Sequence, residues 1–333
     1  MDYPSNFSPR SFNGVHLCYS QSYDLEKQKK GLRHYVMNES WQHGYAHVNG
    51  VRLHYVTQGE GPLVLLLHGF PEFWYSWRHQ IPALAQHFHV VAPDLRGYND
   101  SEKPPGVANY RIDMLAADVM ALIRAFGEEK AIIVGHDWGG GIAWVFAAEY
   151  PQATEKLIVL NCPHPAAFQH HLKTNWRQLR RSWYMFFFQI PWLPESGIRL
   201  NLRWFVEKAF RGMAIRKEAF SDDELQKYAT ALQKPDVLTA AVNYYRAAFR
   251  ERMRHGERLF DKIKCPTLLI WGEEDTALGK ELTYGMEPYF ADHFEIKYIP
   301  QCSHWVQQEQ PELVNRYMAE FLMDAAGCDQ SDR

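Results

Sequence analysis

The sequence predicts an α/β domain: a mostly parallel sheet flanked by helices and interrupted by an inserted helical lid. Three observations predict it. Short apolar runs ending in glycine or polar residues alternate with segments of helical spacing. That alternation stops between about 164 and 256 and then resumes. Before the break, the apolar run Ala131-Ile132-Ile133-Val134 leads through Gly135-His136-Asp137-Trp138-Gly139-Gly140 into a small-residue apolar stretch, a strand, a sharp turn and a helix.

The elements follow in order. Residues 1–44 are polar and poorly periodic, with the charge run Glu26-Lys27-Gln28-Lys29-Lys30, and read as an N-terminal extension, a partly ordered tail packed on the body. From Tyr45, YAHVNGVRLHYVTQG reads as two strands turning at Asn49-Gly50, a hairpin dipeptide. PLVLLLHG (62–69) is continuously apolar, as a strand buried on both faces should be. A helix-like stretch near 75–86 precedes another buried strand and its exit loop, FHVVAPDLRGYNDS (88–101). Residues 112–127 are amphipathic at helical spacing and end in glycine. KAIIVGHDWGG and EKLIVLNCPHP are each a strand followed by a turn, closing a first core segment over 45–163.

Residues 164–256, rich in Trp, Tyr, Phe and Arg, read as the helical lid. A second core segment over 257–327 holds the strands CPTLLIWGEED (265–275) and FEIKYIPQCSHW (294–305). Its closing helix, 311–327, has Pro at its start and Gly at its end. Residues 328–333 form a C-terminal tail, and no internal repeat is visible.

Composition narrows the function. A chain of 333 residues, 46% hydrophobic, can build a large core, which excludes global disorder. A formal net charge of -3 gives no reason to expect nucleic acid or an anionic membrane as partner. The five cysteines (18, 162, 265, 302, 328) are scattered and odd in number, which fits a reducing compartment better than a disulfide scaffold. Despite 16 histidines there is neither HExxH nor CxxC, so no bound metal is expected. MDYPSNFSPRSFNG lacks the apolar core of a signal peptide, and WYMFFFQIPWL (183–193) is far short of the ~18 residues of a membrane span. The expectation is a cytoplasmic protein without a membrane anchor, monomeric or homodimeric.

In open α/β sheets ligands bind beyond the carboxyl ends of the strands. The residues at those exits are His68-Gly69-Phe70-Pro71-Glu72, Asp137, Asp275 and His304. Taken singly, Asp275 reads equally well as a turn or capping residue, and His304 as a surface histidine. Taken together, they give nucleophile, acid and base in chain order. His68 and His136 read as structural supports, and His164, His170 and His171 at the lid entrance as solvated.

A carboxylate at the elbow, where such sheets usually present serine, has a chemical reason. Serine attacking a saturated carbon would form a stable ether and end catalysis after one turnover. Asp137 would form an alkyl ester, which water activated by His304 can cleave while Asp275 orients the imidazole. The backbone N–H groups of Phe70 and Trp138 would then form the oxyanion hole. This chemistry suits epoxides or alkyl halides. Epoxide opening releases an alkoxide nearly as basic as hydroxide, whose parent water has a pKa of ~15.7. It calls for a neutral acid such as tyrosine, of pKa ~10. The lid offers Tyr184, Tyr228, Tyr244 and Tyr245, although tyrosine-rich helices also simply pack.

Five motifs in order carry a resemblance. These are His68-Gly69-Phe70-Pro71-Glu72, Asp94-Leu95-Arg96-Gly97-Tyr98, Gly135-His136-Asp137-Trp138-Gly139-Gly140, Trp271-Gly272-Glu273 with Asp275, and Ser303-His304-Trp305-Val306-Gln307. Over roughly residues 45–325 the chain resembles the epoxide hydrolases of the α/β-hydrolase fold. The resemblance implies a hydrolase acting on ether bonds, with an epoxide and water as partners and no cofactor. It implies two lid tyrosines that hold and protonate the epoxide oxygen. The Phe188-Gln189-Ile190-Pro191 segment selects Tyr184, the Asn243-Tyr244-Tyr245-Arg246 segment selects Tyr245, and Tyr244 becomes a packing residue. It also implies a cis Phe70–Pro71 peptide. It does not explain residues 1–44.

Haloalkane dehalogenases are the nearest alternative. They usually carry a halide-holding polar residue or tryptophan after His-Gly, where this chain has Phe70, although Trp138 offers one indole N–H. A fluoroacetate dehalogenase would need arginine where Trp138 stands, and an ordinary esterase is disfavoured by Asp137. A catalytically silent ligand-binding protein of the same fold has no need of all five catalytic groups. Phe73, Trp74, Trp77 and Trp192 are expected to line an apolar pocket for lipophilic or aryl epoxides, or else to belong to the core.

Overall fold

A computed structural model describes residues 41–255 and 260–323. Most of the N-terminal extension, the end of the closing helix and the C-terminal tail lie outside these residues. The strands are β1 (Gln42–Val48), β2 (Val51–Gln58), β3 (Leu63–Leu67), β4 (His89–Pro93), β5 (Ala131–His136), β6 (Thr154–Leu160), β7 (Thr267–Gly272) and β8 (Phe294–Ile299). They form one sheet in the order β1-β2-β4-β3-β5-β6-β7-β8. The pairs β1–β2 and β2–β4 are antiparallel, and every pair from β4 to β8 is parallel. Asn49 and Gly50 both have positive φ (47° and 76°), as the tight β1–β2 turn requires, and Val48 pairs with Val51.

The pleat explains the apolar runs. Along β3, Val64 and Leu66 enter one buried cluster while Leu63, Leu65 and Leu67 enter the other. The helices α1 (Gln80–Leu84), α2 (Ile112–Ala125) and α3 (Trp138–Glu149) cover the sheet. Ile81 and Leu84 of α1 pack into the first cluster, and Leu115 of α2 and Ile142 of α3 into the second.

Between β6 and β7 the described residues form helices and no strand: α4 (Pro165–Thr174), α5 (Trp176–Arg181), α6 (Trp183–Phe187), α7 (Leu193–Leu200), α8 (Leu202–Ala209), α9 (Asp222–Gln233) and α10 (Val237–His255). Ser221 and Glu224 start α9 with a reciprocal capping box. After β8 come α11 (Val306–Glu309) and α12 (Pro311–Met323), whose Val314 and Met318 return to the first cluster. Among the described residues no helix is long and apolar enough to cross a membrane.

Candidate active site

Asp137 is the single residue between β5 and α3. Its backbone takes φ 49° and ψ -118°, a region costly for a non-glycine residue by roughly 1–3 kcal/mol. Small neighbours make that turn possible. A Cβ on Gly69 would stand 2.5 Å from that of Asp137, and one on Gly139 would run into the Leu67 carbonyl. The Phe70–Pro71 peptide is cis, as the resemblance implies.

The Asp137 carboxylate spans two environments. Oδ1 accepts the Phe70 N–H at 2.8 Å, and Oδ2 lies 3.6 Å from His304 Nε2. Trp138 opens α3, so its N–H is among those with no partner inside the helix. His304 stands in the turn between β8 and α11, and its Nδ1 donates to Asp275 Oδ2 at 2.7 Å. Asp275, just past β7, is itself anchored: Oδ1 accepts the N–H groups of Ala277 and Leu278 at 2.8 and 2.9 Å. Burial works against a charged imidazole, but the carboxylates of Asp275 and Asp137 outweigh it and hold the His304 pKa well above that of an ordinary histidine. Burial likewise works against the Asp137 carboxylate, and its contact with His304 outweighs that and lowers its pKa.

Two contributors receive no role of their own from the sequence. Asn161, at the exit of β6 and fully buried, donates to Asp275 Oδ2 at 2.7 Å and accepts the Gly272 N–H at 3.0 Å. Its φ of 40° suits asparagine better than most residues. Its position after an apolar run was the available signal. Glu72 is the other. Its Oε2 accepts the Gly69 N–H at 3.0 Å and lies 2.7 Å from His136 Nδ1. Its Oε1 accepts the side-chain amides of Gln307 and Gln308 at 3.1 and 2.9 Å. His136 Nε2 donates to the His304 carbonyl at 2.9 Å. Glu72 and His136 thus join the loop bearing Phe70 to the turn bearing His304.

The insertion brings two phenols together. The rings of Tyr184 on α6 and Tyr245 on α10 meet edge to face at 5.8 Å. Phe70, Trp138 and Phe188 close around Tyr245 at 5.4, 5.0 and 4.9 Å. Burial first, and then the Asp137 carboxylate, push both phenols above the ordinary tyrosine pKa. The other two tyrosines are committed elsewhere. The Tyr244 hydroxyl donates to the Arg96 carbonyl at 2.7 Å, and that of Tyr228 to Gln308 Oε1 at 2.7 Å.

Of the expected pocket aromatics, Phe73 and Trp74 are buried and pack against Tyr75, and Trp77 lies wholly inside the first cluster. Trp192 departs from expectation. Its backbone is left-handed (φ 53°) at the start of α7, and the side chain is 73% exposed. His164 departs too. It is buried, stacks on Tyr289 at 4.5 Å and accepts the Ala166 N–H at the start of α4, and burial lowers its pKa to about 4.

Residues 62–311 match a family described as the alpha/beta hydrolase fold. Over 291 residues the chain is 40% identical to Epoxide hydrolase 1 of Caenorhabditis elegans, covering 85% of this chain and 71% of that one. Over 288 residues it is 38% identical to Epoxide hydrolase 4 of Mus musculus, covering 84% and 79%. The structure of a Bacillus megaterium epoxide hydrolase in complex with an inhibitor superposes with a TM-score of 0.75 at 37% identity, covering 84% of this chain and 99% of that one.

Proposed function

We propose a covalent two-step chemistry from one premise: the chain belongs to the α/β-hydrolase-fold epoxide hydrolases and converts epoxides to vicinal diols. The observation that carries the mechanism is the elbow carboxylate Asp137. One of its oxygens lies at the Phe70 N–H and the other faces His304.

In the first step Asp137 Oδ2 attacks an epoxide carbon. The C–O bond breaks, and Tyr184 or Tyr245 gives its proton to the departing oxygen. The product is a hydroxyalkyl ester and a tyrosinate. Esterification removes the Asp137 charge, one of the groups that holds His304 protonated. The imidazolium proton then restores the tyrosine, and His304 becomes a base.

In the second step His304, oriented by Asp275, takes a proton from water, and the hydroxide adds to the ester carbonyl. The oxyanion develops on Oδ1, where the N–H groups of Phe70 and Trp138 receive it. Collapse releases the diol as an alkoxide, which takes the proton of the new carboxyl. Asp137 is again a carboxylate and His304 again an imidazolium. In this reading α4–α10 act as the lid that carries both acids. The five scattered cysteines, odd in number, support a reducing, cytoplasmic setting.

The test is the intact mass of His304→Gln after incubation with epoxides and, in parallel, bromoalkanes. The expected gain is the mass of the whole epoxide, mapped by digestion to Asp137. A gain of the alkyl group alone, from the bromide and not the epoxide, would reassign the enzyme to dehalogenation.

A further inference from the structure

The run Trp183–Leu193, too short to span a membrane, faces two ways in the structure. Inward, Tyr184 meets Tyr245 and Phe188 is buried. Outward, Trp183 is 63% exposed, Phe186 50%, Ile190 43% and Leu193 41%, beside the Trp192 already described. The outward face continues onto α10, where Phe249 meets Phe186 at 6.4 Å and Met253, one turn on, is exposed. Of the fifteen large apolar side chains exposed among the described residues, nine lie between Trp176 and Trp204. A surface this apolar is unusual unless something covers it.

Its charge says what. Across α5–α8 (176–209) the chain holds six basic residues and two acids, Glu195 and Glu207. Glu195 is buried against Arg246 and Glu207 pairs with Arg211, so neither offsets the exposed arginines, although Arg181 is itself paired with Glu281. The net charge of -3 for the whole chain conceals this segregation. Tryptophan rings among arginines match the interface of an anionic bilayer, where indoles settle at headgroup depth and guanidinium groups meet phosphate or carboxylate. A second copy fits poorly, because a two-fold interface would set the same basic surface against itself.

We propose that the outward face of α5–α8 is an interfacial docking surface for an anionic bilayer, from which lipophilic epoxides are drawn. The proposal rests on the epoxide-hydrolase reading. It gives adjacent residues of α6 opposite duties, Trp183 toward lipid and Tyr184 toward Asp137.

The experiment is flotation of the full chain with vesicles of phosphatidylcholine, with and without phosphatidylserine. The expected result is binding to the anionic vesicles only, weakening as salt rises. The pairs Trp176→Ser with Trp183→Ser, and Arg177→Glu with Arg180→Glu, should each reduce binding at least tenfold. Both should slow hydrolysis of a long-chain epoxide carried in those vesicles, while hydrolysis of a water-soluble epoxide without vesicles stays unchanged. Binding to neither vesicle, or binding that both pairs leave intact, overturns the proposal. So does concentration-dependent dimerisation abolished by Trp183→Ser without vesicle binding, which would assign the face to a second copy. Failure of the wild type to hydrolyse the soluble epoxide would instead overturn the catalytic reading, whatever the vesicles show.

Discussion

Arg246 holds Glu195 through two contacts, Nη1 to Oε1 at 2.5 Å and Nη2 to Oε2 at 3.1 Å, and the same guanidinium reaches the carbonyls of Phe188 and Ile190 at 3.0 and 2.8 Å. It neighbours Tyr245 on α10, and the carbonyls it binds follow α6, which bears Tyr184. One buried cation therefore ties the helix that bears Tyr245 to the segment that follows Tyr184. Gln189 adds a contact to the Tyr245 carbonyl at 3.3 Å.

Replacing Arg246 by Lys keeps the charge and loses the two-pronged grip. Ring opening should slow by roughly 10–100-fold, because a small misplacement of an acid is costly in rate. Hydrolysis of the ester should be unchanged. Single-turnover measurement of both steps separates this from general loss of structure, which would slow both. Arg246→Met should also cost roughly 3–5 kcal/mol of stability by leaving Glu195 buried and unpaired.

Tyr184→Phe and Tyr245→Phe should each reduce the rate of alkylation, by about 10²-fold if either phenol supplies general acid catalysis. The double variant should be slower than either. Rapid-quench detection of the ester reads this directly. Near-normal alkylation in the double variant would show that the acid lies elsewhere.

His304 gives stability a pH dependence with a definite sign. Its folded pKa lies above its unfolded value of 6.5, so the folded chain retains a proton that the unfolded chain has lost. The contribution is fully present below 6.5 and falls by roughly 1.4 kcal/mol per pH unit above it, until the folded pKa is passed. Urea unfolding from neutral to alkaline pH should show a steeper loss in the wild type than in His304→Gln. Equal slopes would contradict the assignment.

Asn161→Ala should cost about 1–3 kcal/mol, because the buried Gly272 N–H loses its acceptor and Asp275 a donor. With Asp275 less firmly held, ester hydrolysis should slow more than ring opening. Denaturant unfolding and adduct lifetime by mass spectrometry check the two parts.

Much of the fold was legible because its signals are local. The apolar runs of β3 and β5 reflect burial on both sheet faces, and Asn49-Gly50 states its own turn. Asp137, Asp275 and His304 were legible as strand exits. Glu72 reads from the sequence only as part of a motif, since its partners His136, Gln307 and Gln308 are distant in sequence and nothing local marks the encounter. Asn161 is marked locally only by its place after an apolar run, and its partners Asp275 and Gly272 are likewise distant in sequence. Trp192 misled because hydrophobicity alone does not say which way a left-handed turn throws a side chain.

Strands β6 and β7 are hydrogen-bonded neighbours, yet the whole helical insertion lies between them. The entropy of closing such a loop grows only logarithmically with its length. That seam is therefore the point where evolution can lengthen, shorten or resurface the molecule at small thermodynamic cost. New substrates and new surroundings can be met by rewriting the excursion, with the frame around Asp137 left unchanged.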